Sequence, residues 1–575
     1  MSVSINNQIA FYDWQLSELD ASWEKYYKSN ILDLYNVNSL YIGRIWGYDA
    51  KRGVLIIRFK EGKFPRLKVP LTISYPKSTI GPINNWNFSY GEFREKQVEQ
   101  YSNCQPIYYL DNEKDEEYRY IGFKNISVDF LQHIENDLKN KTNSIVILGA
   151  EDPPRDYLVA LKHFTKHNSS HPILSYSNGD IENWTPQNLN QIDGLSNKII
   201  KIIEDNKYTI LQGPPGTGKT FLTAEICKYY LNKDQRVCIT SLTHKALMEA
   251  VIKDGLEQAR KSNKIHKTNL SVDELSLVPE LKNHDITKPI PVGNLLLTTY
   301  YNLSKLLMNN ISEQYDILII EEASQAFLTT ITGFSCLAKK TLIIGDFMQL
   351  QPIVLESSKA ETIDKDILTI INGLRTFSVK NNKDSYRLVN TYRLTDKSAS
   401  QTGVFYQNSL VSKSELKGLS VPGKYSEWFC PLGGASLVYI EKLDEGKTPK
   451  NAISIIIDLV SEIRKYHSKI EIAVLCSFKD TVYAISDSML KVQVNMNNLE
   501  VNTVDRVQGM TVDLCIFLIP SYQTKFSYDI NRFNVATSRA RHGTIILAEQ
   551  NITDNILLPP MVNNYLSKSK KLIVK

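Results

Sequence analysis

ILQGPPGTGKT, residues 210–220, constrains this chain more than any other stretch. It sets Gly213, Gly218, Lys219 and Thr220 at G-x4-G-K-S/T spacing, with Gly216 between them. An apolar run, Tyr208–Gln212, precedes the loop, and a helical run, FLTAEICKYYL, follows it. In that order, strand, glycine loop and helix turn backbone N–H groups inward at the positive end of a helix, which is how a backbone holds phosphate. The segment Gly213, Pro214, Pro215, Gly216, Thr217, Gly218, Lys219 and Thr220 therefore reads as a nucleoside-triphosphate cradle. Lys219 reaches the β- and γ-phosphates, and Thr220 ligates Mg²⁺.

Short apolar runs recur around the loop at Arg236–Ser241, Asn294–Thr299, Asp316–Ile320 and Thr341–Ile344. They resume at Glu471–Cys476, Val501–Val504, Leu514–Ile519 and Thr544–Ala548. Strands of this length alternating with helices predict an α/β fold with parallel sheets, in two tandem domains at 186–378 and 379–575. The length of 575 residues leaves room for roughly three to four domains. Residues 1–185 are the remainder, an accessory region. It opens on an aromatic helical stretch over 1–35 and changes to strand–turn–strand punctuation over about 39–125, which predicts a small β-barrel. A short helix is expected near Val128–Leu138, and another helical stretch after Pro153 and Pro154. The polar spacer 253–292 reads as a helical insertion. The tail SKSKKLIVK reads as a solvated end rather than a nucleic-acid arm.

Composition narrows the class without choosing a partner. Glycine and proline number 26 and 21, too few for a low-complexity or collagen-like chain. The net charge of +5 suits a nucleic-acid groove and equally an ordinary solvated surface. Seven scattered cysteines form no CxxC pair, so neither a disulfide framework nor a zinc module is expected, and a reducing cytoplasm suits them. No signal peptide and no membrane span is read.

YDILIIEEASQ, residues 315–325, brings Glu321 and Glu322 to the end of an apolar run about a hundred residues after the loop. The first carboxylate belongs to the Mg²⁺ shell, and the second polarises the attacking water. Aspartate is usual at the first position. A glutamate there adds a methylene that shifts the metal by about an ångström.

LIIGDFMQLQP follows at 342–352. With it, the series GPPGTGKT, EEASQ and GDxxQLxP resembles superfamily 1 helicases, and most of all the branch typified by the eukaryotic nonsense-mediated-decay helicase. NTYRL (390–394), VFYQNSL (404–410), VNTVDRVQGMTVD (501–513) and RFNVATSRAR (532–541) are similar to later elements of that family, in the same order. The resemblance covers about 186–550. It implies two tandem RecA-like P-loop domains that use ATP and Mg²⁺ to move along single-stranded DNA or RNA, in the 5′→3′ sense.

Roles follow from the resemblance, position by position. Gln349 senses the γ-phosphate, Gln508 joins the hydrolytic set, and Arg393 and Arg539 are arginine fingers from the second domain. Tyr392 stacks on adenine, with Gln191 upstream as its hydrogen-bonding partner. Thr243, His244 and Thr299 in the first domain and Thr503 in the second donate to nucleic-acid phosphates, although small polar residues at strand ends also serve as caps. His244 reads equally as a satisfied helix-entry histidine. The N-terminal barrel either grips nucleic acid or only stabilises the motor and binds a protein partner. Three departures from the family stand out: Glu321 for aspartate, Thr511 where glutamate is usual (resembling the RecD-type branch), and Gln191 two residues early. Two rival functions remain: an ATP-controlled clamp that remodels protein–nucleic-acid complexes, and a P-loop switch such as a GTPase, for which no NKxD motif is found.

Overall fold

The apolar runs of residues 208–345 are β-branched and leucine-rich without alternation, as strands buried on both faces must be. In the computed structural model they build one parallel sheet. The structure describes residues 4–110, 117–174, 185–309, 312–355, 367–492, 494–550 and 557–574. Preceding that sheet are β1 (Tyr41–Asp49), β2 (Val54–Lys60), β3 (Leu71–Pro76), β4 (Val98–Leu110), β5 (Tyr118–Lys124) and β6 (Ile145–Ala150). The first-domain sheet comprises β7 (Gln187–Leu189), β8 (Tyr208–Gln212), β9 (Val237–Ser241), β10 (Ile265–Lys267), β11 (Lys282–Asn283), β12 (Leu295–Thr299), β13 (Tyr315–Ile320), β14 (Ala338–Gly345) and β15 (Ser385–Leu388). Its order is β11-β10-β12-β9-β13-β14-β8-β15-β7. The strands being parallel, the loops after β8, β9, β12, β13 and β14 all leave from one edge, where ligands bind in such sheets.

The second domain repeats the plan. After a short pair, β16 (Asn390–Thr391) and β17 (Val411–Ser412), come β18 (Ala435–Ile440), β19 (Ile472–Cys476), β20 (Leu499–Thr503), β21 (Val512–Leu518), β22 (Ala540–Glu549) and β23 (Lys570–Val574). They form a second parallel sheet in the order β20-β19-β21-β22-β18-β23.

Several expectations change here. β15 pairs with β8, so the first sheet reaches Leu388, beyond the expected boundary at 378. The spacer 253–292 is not a helical insertion, because β10 and β11 extend the sheet edge between short helices. The lysine-rich tail is an edge strand, β23, whose Leu572 and Val574 pack on the second-domain core while Lys570 and Lys571 stay exposed.

The six strands β1-β2-β5-β4-β3-β6 close into a barrel around Ile45, Leu55, Ile57, Phe59, Ile73, Ile121, Phe123 and Leu148. The closing strand, β6, lies beyond the expected end at 125. Closure leaves the barrel no free edge.

The accessory region does not stand apart from the first domain. Its helices Ile5–Lys28 and Arg155–His167 share one apolar cluster with Leu318, Ile320, Phe327 and Phe334. The Phe11 and Phe327 rings meet edge-on at 5.7 Å, and the Tyr157 and Thr330 hydroxyls lie 2.5 Å apart. These helices are a stem that fixes the barrel on the motor.

The barrel then touches both domains. Asn125 N–H donates to Asp273 (2.9 Å), and Ser127 and Ser271 form an antiparallel bridge. On the other side Lys68 pairs with Glu500 at 2.7 Å, Arg506 donates to the Lys68 carbonyl at 2.9 Å, and Arg66 lies 4.4 Å from the Tyr483 ring centroid. Among the described residues no helix is long and apolar enough to cross a membrane.

Candidate nucleotide cleft and nucleic-acid face

The loop after β8 is anchored at its base by Gly213 N–H donating to the Gly345 carbonyl (2.9 Å), the last residue of β14. Thr217 Oγ1 donates to the Pro214 carbonyl at 2.8 Å, which holds the turn. The helix Lys219–Leu231 begins behind Gly218, which has φ +81° and offers no side-chain cap. Its first N–H groups therefore have no intrahelical partner and point at whatever occupies the loop. An uncapped helix start under a glycine turn suits a phosphate. Lys219 Nζ donates 2.6 Å to the Gly213 carbonyl, and burial pulls its pKa below the ordinary value.

Glu321 and Glu322 follow β13 and separate immediately. Glu321 is buried and accepts the Thr223 hydroxyl. Burial pushes its carboxyl up to about 7, against that hydrogen bond. Thr223 lies one turn beyond Thr220 on the same helix, so the longer glutamate arm takes the carboxylate deeper along the helix than an aspartate would reach. Thr220 and Glu321 are the two oxygen donors that would hold Mg²⁺, an ion that needs only one or two protein ligands beside phosphate and water. Glu322 turns the other way. Its backbone is left-handed (φ +55°), a conformation costing about 1–2 kcal/mol for a residue with a Cβ. Its carboxylate accepts Gln508 Nε2 at 2.7 Å from the second domain.

Asp346, after β14, is a buried hub. It accepts Gln212 Nε2 (3.1 Å), Gln349 Nε2 (2.8 Å) and the Tyr406 hydroxyl (2.6 Å). Arg387 Nε donates to Gln212 Oε1 (2.7 Å), and Asn534 Nδ2 to the Tyr406 hydroxyl (2.8 Å). Gln349 is thereby locked, with its Oε1 facing Arg539 Nη2 at 3.4 Å. The motif reading named Gln349 and missed Asp346, Gln212, Arg387, Tyr406 and Asn534. All of these but Arg387 lie within quoted motifs, so their signal was present.

Both expected fingers lie in this cleft. Arg539 is 2% exposed, and burial lowers its pKa. Half-buried Arg393 donates to the Ser538 carbonyl at 3.3 Å. Burial, with Arg539 and Arg541 close by, pulls it down to about 9. Gly216 (φ +74°) must be glycine here, since a Cβ would collide with the Arg393 side chain and the Thr391 hydroxyl. Thr391 Oγ1 donates to the Pro215 carbonyl (2.8 Å) and Tyr392 N–H to the Gly216 carbonyl (2.9 Å). The segment carrying Arg393 is thus pinned on the phosphate loop, and the Tyr392 ring stands exposed beside it.

Gln191 bonds within its own turn. Its Nε2 donates to the Asp193 carbonyl at 2.6 Å, while the neighbouring Asn190 carbonyl accepts Asn390 Nδ2 at 3.3 Å.

The nucleic-acid candidates divide by exposure. Thr243 is exposed and caps the helix His244–Val251, its Oγ1 accepting Ala246 N–H at 3.3 Å, which leaves the hydroxyl proton free to donate. Thr299 is buried and caps the next turn by accepting Asn302 N–H (3.4 Å). Thr503 is buried at the end of β20. His244 takes the alternative reading: its Nδ1 accepts Lys267 Nζ at 2.7 Å, and Lys267 pairs with Glu274 at 2.8 Å. Burial and Lys267 hold the imidazole down to about 3, so it is neutral at physiological pH.

One family model described as an AAA domain matches residues 196–354, and a second AAA-domain model matches residues 374–551. The DNA replication ATP-dependent helicase/nuclease DNA2 of Saccharomyces cerevisiae is 22% identical over 433 residues, 67% of this chain and 27% of that protein. The Schizosaccharomyces pombe protein of the same description is 25% identical over 397 residues, 61% of this chain and 27% of that protein. The chain thus spans little more than a quarter of the length of these relatives. An Arterivirus nonstructural protein 10 (helicase) structure is 15% identical with a TM-score of 0.32, covering 61% of this chain and 62% of that one. The chain thus carries an AAA-domain match in each half of the cleft and is similar over 61–67% of its length to ATP-dependent helicase/nucleases.

Proposed function

We propose that the chain is an ATP-dependent helicase or translocase that moves along single-stranded nucleic acid, with residues up to about 388 carrying the first motor domain and those beyond it the second. One observation carries the reading. Lys219 from the first domain and Arg393 and Arg539 from the second converge on one cleft, and each is held below its ordinary pKa. Three cations that burial disfavours, with the uncapped helix start beside them, suit a triphosphate, whose charge would relieve all three. Because the fingers belong to one domain and the phosphate loop to the other, hydrolysis requires the cleft to be closed, which couples turnover to domain motion. When bound, Mg²⁺ on Thr220 and Glu321 would neutralise phosphate charge. Glu322 orients and deprotonates the attacking water.

The names of the similar proteins make DNA the first track to test, and the nonsense-mediated-decay-like motifs support 5′→3′ movement. Unpaired thiols at all seven cysteines suit a reducing compartment such as the cytoplasm. A clamp with little unwinding is favoured by one feature, the barrel that ties itself to both domains through Asp273 and Glu500.

The test is steady-state ATP hydrolysis with and without single-stranded DNA and single-stranded RNA, using Lys219→Ala as the blank. Stimulation of about tenfold or more by one polymer, absent in the variant, is the expected result and names the track. Equal turnover with and without either polymer contradicts the motor.

A further inference from the structure

Tyr406 is fully buried where the two domains meet, and the hydrogen bonds around its hydroxyl run in one direction. Both N–H groups of the Asn534 amide are used, one on the Met348 carbonyl at 2.7 Å and one on the Tyr406 oxygen at 2.8 Å. Asn534 Oδ1 is left buried without a hydrogen bond, so the amide is turned by its two acceptors on the nitrogen side. Accepting from Asn534, the phenol gives its own proton to Asp346 Oδ2 at 2.6 Å. Burial and the neighbouring carboxylate hold the phenol pKa well above its ordinary value, so that proton stays in place at physiological pH. Gln349 Nε2 donates to the same oxygen, Oδ2, at 2.8 Å, while Gln212 Nε2 and Met348 N–H hold Oδ1 at 3.1 and 3.2 Å.

The domains therefore meet twice within one closed circuit. Gln349 Oε1 faces Arg539 Nη2 at one crossing, and Asp346 meets Tyr406 at the other. On the second-domain side, Asn534 lies in the helix Ile530–Thr537, and Arg539 Nε is tied to the Val535 carbonyl of that helix at 2.9 Å. The loop on the first-domain side is gripped by the second domain. Asn531 Nδ2 donates to the Gln349 carbonyl at 2.7 Å, and Leu350 shares one apolar cluster with Phe405, Tyr406 and Phe533. An amide keeps its shape when its oxygen and nitrogen exchange places, so only its partners decide which way it faces. For Gln349 the deciding partner is Asp346 Oδ2.

We infer that Tyr406 is a positioning residue for ATP hydrolysis. Its hydroxyl fixes Asp346 Oδ2, which holds the Gln349 amide with its oxygen toward Arg539 and its second N–H left for the γ-phosphate. The inference rests on the motor reading above. Within that reading it ties the first-domain sensor to the second-domain finger through a fully buried side chain.

The test is a kinetic cycle on the full chain, measuring kcat and KM for ATP in Tyr406→Phe, in Gln349→Ala and in the two combined, with melting temperatures alongside. Tyr406→Phe keeps the ring in its buried site and removes one oxygen. Its kcat is expected to fall about tenfold with KM for ATP held within about twofold, as for the loss of one hydrogen bond to a charged group that orients a reacting part. In the Gln349→Ala background the same change is expected to cost no further kcat, because the amide it orients is gone. A small fall in melting temperature is expected in both backgrounds. An equal loss of kcat in both backgrounds overturns the inference and makes the hydroxyl a structural group only. Unchanged kcat in Tyr406→Phe overturns it too, as does a raised KM with kcat retained. Full kcat in Gln349→Ala removes the sensor, and the positioning role with it. Strand-free turnover carries the same cycle where neither polymer stimulates hydrolysis, so a failure of the motor reading is read separately.

Discussion

Arg539→Ala is expected to lower strand-stimulated ATP turnover by about a thousandfold or more, the range over which an arginine finger acts on a transferring phosphoryl group. Its Nη2 sits 3.4 Å from Gln349 Oε1, and its Nε donates to the Val535 carbonyl at 2.9 Å. It is therefore held toward Gln349 and the cleft by the end of the preceding helix, Ile530–Thr537. Removing it leaves two buried acceptors short of a donor, at about 1–3 kcal/mol each, so the melting temperature falls as well. Arg539→Lys separates the two effects: it fills most of the volume and keeps the charge, yet lacks the planar fork. Turnover of the lysine variant is expected to stay at least tenfold below the unmodified chain with ATP binding retained. Near-normal turnover in either variant contradicts the finger assignment.

Glu322→Gln is expected to reduce turnover by about 10²–10⁴-fold, the range of a lost general base. The substitution is nearly isosteric, and the new amide oxygen still accepts the Gln508 bond that now measures 2.7 Å. Folding, ATP binding and strand binding should all survive, so the variant is expected to trap a nucleotide-loaded complex. Single-turnover hydrolysis beside equilibrium binding of a fluorescent ATP analogue reads both properties. Weakened ATP binding with normal hydrolysis at saturation would instead make Glu322 a binding residue. The left-handed backbone at this position agrees with the catalytic role. Strain there is retained where the surrounding structure fixes it, here by the Tyr300 hydroxyl on the Glu321 carbonyl (2.5 Å) and Gln325 N–H on the Glu322 carbonyl (2.9 Å).

Much of the fold was legible because fully buried parallel strands leave continuous apolar runs, and each expected run from Tyr208 to Ile344 became a strand. What escaped was decided by pairing at a distance. β6 carries IVILGA, an apolar run whose partners β1 and β3 lie about a hundred and about seventy-five residues upstream, so nothing local marked it as the strand that closes the barrel. β15 reads SYRL, too short and polar to announce itself, and only its register with β8 places it in the first sheet. The tail hid its strand beneath lysines that an edge position tolerates.

The site divides the same way. Backbone chemistry is written locally, so the glycine loop after β8, the paired acids after β13 and Gln349 after β14 could be proposed from short stretches of sequence. Contacts made across the fold were not legible. The reach of Glu321 to Thr223, the Asp346–Tyr406 hub and the tie between His244 and Lys267 depend on side chains from separate strands meeting at one sheet edge.

The measurement that tests the account most directly is ATP-driven strand separation of a duplex with a single-stranded tail, run beside displacement of a protein bound to the same strand, with Glu322→Gln as the control. The account predicts that a long duplex is unwound only with ATP, faster from a 5′ tail than from a 3′ tail, and not at all by the variant. Displacement of the bound protein with the duplex left intact would contradict the helicase reading and establish the ATP-controlled clamp in its place.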